Sequence, residues 1–309
     1  MKNKELAPVA LFAFNRPDHT RKTLDAIAKN HLVGDTDLFV FVDGPRTDKD
    51  IASIQEICAT ADAVEGFKSV TIVRQEANIG LAGSIVQGIT KVLEEHDRIV
   101  VLEDDIVTSP AFLNYMNGSL SHFQDEKKVW HVCGYNEPTR SKAFTKTHFS
   151  RLMNCWGWAT WRDRWQHFEK DPEKLLSEFT PDMINRFDLE IGEKFWFQVL
   201  ANADGRMNTW AIFWYATIFK QDGLCLNPNV SYVQNIGFDG SGEHCNVDEI
   251  RNKARKLNQE LNIEYPDVLA EDPEAFEALQ GFYRLKKRGP GKIEKIKKKI
   301  LGRLFGKLN

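Results

Sequence analysis

Three adjacent carboxylates, Glu103, Asp104 and Asp105, follow a run of four apolar residues, Ile99 to Leu102. An apolar run of this length, rich in β-branched side chains, reads as a strand buried on both faces. Acids crowded at the exit of such a strand repel one another and lose hydration, so a cation or several hydrogen-bond donors must neutralise them. A hard divalent cation is the usual partner, because it takes oxygen ligands and shares them with phosphates. In isolation three acids are equally a solvated turn. What shifts the balance is the set of polar groups upstream: Arg16, the lone acid Asp43, and the segment Asn78-Ile-Gly-Leu-Ala-Gly-Ser84.

The elements that must position these groups alternate. Residues 8–14 form a short apolar run closed by Asn15-Arg16-Pro17-Asp18. Pro17 suits the first turn of a helix and Asn15 can cap it. A second apolar run, 37–43, ends at Asp43-Gly44-Pro45. Helical spacing over 49–61 precedes a third strand over 69–74. The 78–84 segment then opens a helix that runs to about residue 95, and its start can favour a phosphate. Crossovers of this length permit parallel pairing, so the pattern predicts an α/β fold with a doubly wound, mainly parallel sheet flanked by helices. Ligands of such sheets bind outside the carboxyl ends of the strands. Arg16, Asp43, the 78–84 loop and the acidic triplet all fall at that edge. Each has a plain alternative (surface cation, turn former, packing glycine), but together they resemble a nucleotide-diphosphate site.

The second half is less regular. Residues 129–133 read as a further strand. Beyond it Trp156, Trp158, Trp161 and Trp165 crowd one block. It is either a packing platform or a floor on which the apolar face of a sugar stacks. Trp161 and Trp165, four apart, are expected to point inward together from a helix. Residues 171–206 look helical, 207–219 form a buried helix, and 224–237 suggest two short strands. The loop that follows, 238–244, has two glycines for mobility, and Asp239, Glu243 and His244 offer ligating and proton-accepting groups. A lone loop histidine is also an ordinary surface residue.

The chain has 309 residues and 42% apolar content, with 20 Phe and 8 Trp, enough for one large α/β domain or two smaller ones. No stretch approaches the roughly 18 apolar residues of a membrane span, and the first residues lack a signal-peptide pattern. The five cysteines (58, 133, 155, 225, 245) are odd in number and include no C-x-x-C pair. That disfavours a disulfide framework or a structural zinc site and favours a reducing, cytoplasmic location. Charge is uneven: from Arg284 onward eleven Lys and Arg face Glu294 alone, while the whole chain carries −3. A helix over 271–285 and a Gly-Pro-Gly break lead to 292–308, where Ile293, Ile296, Ile300, Leu301, Leu304, Phe305 and Leu308 share one face. This C-terminal basic amphipathic helix has the pattern of one lying on an anionic membrane surface, each basic residue contributing roughly 1 kcal/mol. A helix packed on a partner subunit has the same pattern. With one aromatic residue the tail has no stacking platform, so no nucleic acid is expected.

The motifs Phe12-Ala-Phe-Asn-Arg16, Val42-Asp-Gly44, Arg74-Gln75 with Asn78-Ile-Gly80, and Val101-Leu-Glu-Asp-Asp105 followed by Ser109-Pro-Ala-Phe-Leu-Asn-Tyr115 carry a family resemblance. The sequence resembles a GT-A fold glycosyltransferase, a bacterial nucleotide-diphospho-sugar transferase related to N-acetylglucosaminyltransferase I. The resemblance covers residues 7–246. It implies a GT-A domain over 1–246, with a nucleotide-binding half (1–135) and a helical acceptor-side half (136–246). A helical extension (247–285) and the basic tail (286–309) follow. It further implies that Arg16 and Asp43 hold the nucleotide base, with Asn78 and Ser84 also on the donor. Glu103 and Asp104 would reach the ribose and sugar, and Asp105, with His244 as second ligand, would bind Mn2+ or Mg2+ bridging the diphosphate. Trp156 and Trp158 would form the platform for donor or acceptor sugar. The implied activity moves a sugar from a nucleotide-diphosphate donor, a UDP-sugar, to a saccharide or lipid-linked acceptor in surface-polysaccharide or glycoconjugate synthesis, on the inner face of the plasma membrane.

One position departs from the family. Many relatives have an acid after the tryptophan corresponding to Trp210, as general base; here the residue is Ala211. The base is then expected from Glu243 or Asp239, with Glu193 more distant, or the leaving phosphate takes the proton in a retaining reaction. Two rivals remain: a sugar-phosphate nucleotidyltransferase, disfavoured by the glycine-poor 12–16 segment, and a sugar-nucleotide-binding relative without catalysis, motivated by Ala211.

Overall fold

Alternate residues of a strand face opposite sides of a sheet, and the first strands of this chain are apolar on both. In the computed structural model, which describes residues 5–137, 146–192, 194–240 and 256–287, this produces two cores separated by one sheet. Val9, Leu11 and Ala13 enter one core; Ala10 and Phe12 enter the other.

The first half runs β1 (Val9–Ala13), α1 (Pro17–Ile27), β2 (Asp37–Val42), α2 (Asp48–Asp62), β3 (Ser69–Arg74), α3 (Gly80–Glu95) and β4 (Arg98–Glu103). It continues through β5 (Ile106–Thr108), α4 (Phe112–His122) and β6 (Val129–Cys133). After it come β7 (His148–Ser150), β8 (Trp158–Trp161), α5 (Arg162–Trp165), α6 (Pro172–Glu178), α7 (Pro181–Phe187), α8 (Trp196–Ala203) and α9 (Ala211–Lys220). Strands β9 (Leu224–Asn227) and β10 (Val233–Asn235) and helix α10 (Pro273–Lys287) complete it.

The main sheet has eight strands in the order β3-β2-β1-β4-β8-β6-β9-β7. Strands β1 to β4 are mutually parallel where they pair, with Ala13 opposite Val42 and Phe12 opposite Glu103. The order reverses between β1 and β4, the switch point at which such sheets bind ligands. Helices α1 and α2 supply Leu24, Ile27, Ile57 and Ala61 to one core, and α3 supplies Ile85, Ile89, Val92 and Leu93 to the other. A Cβ on Gly88 would lie 2.5 Å from the Phe12 ring, so α3 seats against β1 only because that position is glycine.

Beyond β4 the sheet is mixed. Strand β8 pairs antiparallel with both β4 and β6, while β6 and β9 are parallel. The carboxyl end of β6 and the amino end of β8 therefore lie at the same edge as the carboxyl ends of β1 and β4. The α/β, mainly parallel architecture is the one expected, with local corrections. Asn15 caps nothing: Arg16 is the N-cap of α1, and Asn15 donates instead to Asp50. Trp161 lies on a strand rather than in a helix with Trp165. It enters the first core from the last position of β8, while Trp165 enters the second from α5, the helix that starts at the next residue. The segment 171–206 is three short helices, and the buried helix begins only at Ala211. The basic tail beyond Lys287 lies outside the described residues.

Candidate active site at the switch point

Four loops leave the carboxyl ends of β1, β2, β3 and β4, and each carries one of the polar groups singled out in the sequence. Pro17 occupies the first helical turn of α1, which fixes Arg16 at the helix entrance directly after β1. Its guanidinium reaches across the switch point. Nε donates to Asp104 Oδ2 at 3.2 Å, and Nη2 donates to Asp104 Oδ1 and, at 2.9 Å, to Asp105 Oδ2. Thr23 on α1 donates to the Asp104 carbonyl at 2.8 Å, so one helix holds both sides of this ion pair.

Both aspartates are 5% exposed. Burial opposes the charge on Arg16, but Asp104 and Asp105 outweigh it and raise its pKa. Burial, followed by repulsion from Asp105 and Asp104, pushes the partly exposed Glu103 carboxyl up. Burial likewise raises Asp104, against the pull of Arg16. Among the described residues one cation, Arg16, thus bonds Asp104 and Asp105 and offsets the charge of Glu103. Asp105 Oδ1 is buried and accepts no hydrogen bond from the described residues, and Arg16 Nη1 is buried with no acceptor among them.

A second cluster forms around Asp43. Its Oδ1 accepts from the backbone N–H of Gly44 and of Ile79, each at 2.9 Å. Its Oδ2 accepts from Asn78 Nδ2 at 3.0 Å and from the Gly80 N–H at 2.9 Å. Four accepted bonds fill the lone-pair sites of a carboxylate. Asp43 therefore closes the amino end of α3, where a phosphate was one expectation, and folds the 78–80 turn. Asn78 Nδ2 also donates to the Gly44 carbonyl, and Ser84 is buried one turn further into α3.

The late loop comes to the same edge by a route that the sequence did not disclose. Strands β5 and β10 form a separate antiparallel ribbon. It carries the chain from Asp105 out and back, so that the Ile236 N–H donates to the Asp105 carbonyl at 2.9 Å. A Cβ on Gly237 would lie 2.2 Å from Asp105 Oδ2 and 3.1 Å from Arg16 Nη1. Asp239 follows, 3.2 Å from His19 Nε2 on α1. Glu243 and His244, the expected base and second metal ligand, lie outside the described residues, as does Glu193. Among the described residues no group of three or more His, Cys, Asp or Glu is arranged to hold a metal by itself.

The tryptophan pair separates. Trp158 is fully buried, stacked between His131 and Trp210 at ring distances of 4.9 and 5.3 Å. No sugar can reach it, and the expectation of a platform there is corrected: β8 turns that side chain into the second core. Trp156, two residues earlier and partly exposed, meets Tyr135 and Phe238 edge-on at 4.5 and 5.3 Å. Ala211 opens α9 next to the buried Trp210 and packs against the same aromatic core.

Sequence reasoning missed Thr23, Gly237 and Glu137. Glu137 lies just beyond the carboxyl end of β6 and is buried, accepting from Tyr283 Oη at 2.8 Å and Tyr135 Oη at 3.4 Å. The strand-end rule that selected the other four loops would have selected it too.

Residues 9–175 match the sequence model of glycosyl transferase family 2, more than half of the chain. The protein belongs to glycosyl transferase family 2. The GT-A resemblance read from its motifs therefore stands, and glycosyl transfer is its role. No curated protein sequence matches the chain. Among solved structures, the mannosyltransferase PcManGT from Pyrobaculum calidifontis, in complex with GDP-Man and Mn2+, is similar at 12% identity and a TM-score of 0.39, over 71% of this chain and 70% of that one. An LgtC active-site mutant is similar at 9% identity and a TM-score of 0.36, over 68% and 70%. Glucosyl-3-phosphoglycerate synthase from Mycobacterium tuberculosis, with Mn2+, UDP and glucosyl-3-phosphoglycerate, is similar at 15% identity and a TM-score of 0.35, over 52% and 58%. These are distant likenesses.

Proposed function

We propose that this family 2 glycosyltransferase is metal-dependent and moves a hexosyl or N-acetylhexosaminyl group from a UDP-sugar to a saccharide or lipid-linked acceptor in bacterial surface-polysaccharide or glycoconjugate synthesis. The observation that carries the donor site is the Arg16–Asp104–Asp105 cluster at the switch point, with one buried carboxylate oxygen of Asp105 left without a donor among the described residues. That oxygen suits a hard cation whose remaining ligands come from a diphosphate. Bound there, Mn2+ or Mg2+ would supply Lewis-acid stabilisation of the charge that develops on the leaving phosphate.

The chain's own residues then have distinct tasks. Asp105 is the ligand, and His244 is proposed as the second. Arg16 holds Asp104 and Asp105 in register and keeps Nη1 for the donor. Asp43 sets the turn that presents Asn78 and is proposed to hold the nucleotide base together with Arg16. Glu103 and Asp104 face the ribose and sugar side. Trp156, bounded by Tyr135 and Phe238, is proposed as the sugar-facing aromatic. Asp239 and Glu243 remain the proposed proton acceptors. Residues 286–309 are proposed to rest on an anionic membrane on its cytoplasmic face, where lipid-linked acceptors are found. No helix among the described residues is long and apolar enough to cross a membrane.

Calorimetry of UDP binding with and without Mn2+, on the native chain and on Asp105→Ala, tests the donor site. The expected result is nucleotide affinity that rises with Mn2+ in the native chain and loses that rise in the variant. An equal response in both removes Asp105 as the ligand.

A further inference from the structure

Arg16 stands where a metal would compete with it. Its Nη2 holds Asp105 Oδ2 at 2.9 Å, so the carboxylate that offers Oδ1 to a cation already shares its charge with a guanidinium. The same guanidinium is held on Asp104 by two of its own donors, while Thr20 and Thr23 of α1 donate to the Arg16 and Asp104 carbonyls and so fix the two backbones between which it spans. Gly237 closes over the pair from the other side.

Resting on the donor-site reading above, we propose that Arg16 makes cation binding conditional on the nucleotide. It is the resident counter-ion that stops the acidic triplet from loading a divalent cation by itself. Two physical effects combine. A dication at Asp105 Oδ1 meets a fixed positive charge on the neighbouring oxygen, which weakens binding of the metal alone. A nucleoside diphosphate reverses this, because its anionic oxygens complete the metal shell and give Arg16 Nη1 the acceptor it lacks among the described residues. Metal and nucleotide then assist one another, and the assistance is reciprocal by linkage. Without Arg16 the three acids would bind the ion indiscriminately, and the nucleotide would add little.

The test measures free Mn2+ by electron paramagnetic resonance during titration of the full chain, first without nucleotide and then with saturating UDP. In the native chain UDP is expected to tighten Mn2+ binding about tenfold or more, within the usual range of coupling between two sites. In Arg16→Met, Mn2+ alone should bind about tenfold tighter than in the native chain, and the gain from UDP should shrink. A folded Arg16→Met that binds Mn2+ alone no tighter than the native chain overturns the proposal. Should circular dichroism show that variant unfolded, Arg16→Lys decides. It keeps one charge but not the fork that spans both carboxylates, so Mn2+ alone should bind a few-fold tighter, and native affinity would overturn the proposal. If the native chain shows no mutual effect of UDP and Mn2+, the donor-site reading fails together with it; if only the variants disappoint, the reading survives and the role of Arg16 does not.

Discussion

Two regions of this protein look alike in sequence and opposite in structure. The acidic triplet and the tryptophan block are both dense runs of one unusual chemistry, and both lie where β4 meets a neighbouring strand. At the triplet, three buried or half-buried acids share one arginine, and a carboxylate oxygen and a guanidinium nitrogen remain without partners among the described residues. Beside the tryptophan block, His131 Nε2 meets the Asn154 carbonyl at 3.0 Å and its Nδ1 accepts from Trp214 Nε1 at 3.1 Å, while Trp158 Nε1 is buried with no acceptor among the described residues. Trp158 stacks on the neutral His131 ring. Density of a residue type does not separate a site from a core; what separates them is whether the unpartnered buried atoms belong to charged groups, as at the triplet, or to a neutral indole, as in the tryptophan block.

This contrast can be broken at several points. The largest effect is expected from Trp158→Ala, which empties the centre of the aromatic core and should cost about 3–5 kcal/mol of stability in denaturant unfolding. Trp156→Ala removes a partly exposed ring and should cost about half as much while weakening sugar-nucleotide binding relative to UDP. If the two variants change binding and stability alike, the division between core and site tryptophans is wrong.

A smaller loss, about 1–3 kcal/mol, is expected for Gly237→Ala, because its Cβ has no space beside Asp105 Oδ2. Its signature is functional: Mn2+-dependent UDP affinity should fall about tenfold as the Arg16–Asp105 pair is pushed apart. Unchanged affinity would show that the late loop does not seat on this pair.

The smallest effect concerns pH, where buried histidines and the acids of the triplet act in opposite senses. Burial lowers His131 to about 3 and His148 to about 4. Between those values and the usual 6.5 the unfolded chain takes up protons that the native state refuses, so this stability is present above pH 6.5 and lost as pH falls. The raised Glu103 and Asp104 carboxyls take up protons in the native state first, and ease repulsion over much of the same range. His148→Gln removes one contribution of the first kind. Measured by urea unfolding, its stability relative to the native chain should improve by up to about 1.4 kcal/mol per pH unit between pH 6 and 4.5. A gap that stays constant across this range would mean that His148 is protonated in the native state.

Much of this protein was legible in one dimension because the information is local. Short continuous apolar runs and the helical stretches between them specify β1 to β4 and their helices. Pro17 and the acids at strand ends mark the edge where ligands bind. The alternation even separates the two cores, since neighbouring residues of a strand must face opposite ways. What the tertiary structure decided depends on partners far apart in sequence. No local pattern says that β8 inserts between β4 and β6, that Trp161 and Trp165 fall on opposite sides of the sheet, or that Asp43 exhausts its oxygens on a turn 35 residues away. Nor does any pattern say that Gly237 closes on Asp105, 132 residues earlier, through a ribbon of two three-residue strands. A side chain carries its chemistry in its own atoms, but its burial and its hydrogen-bond partners belong to the neighbours that folding brings to it.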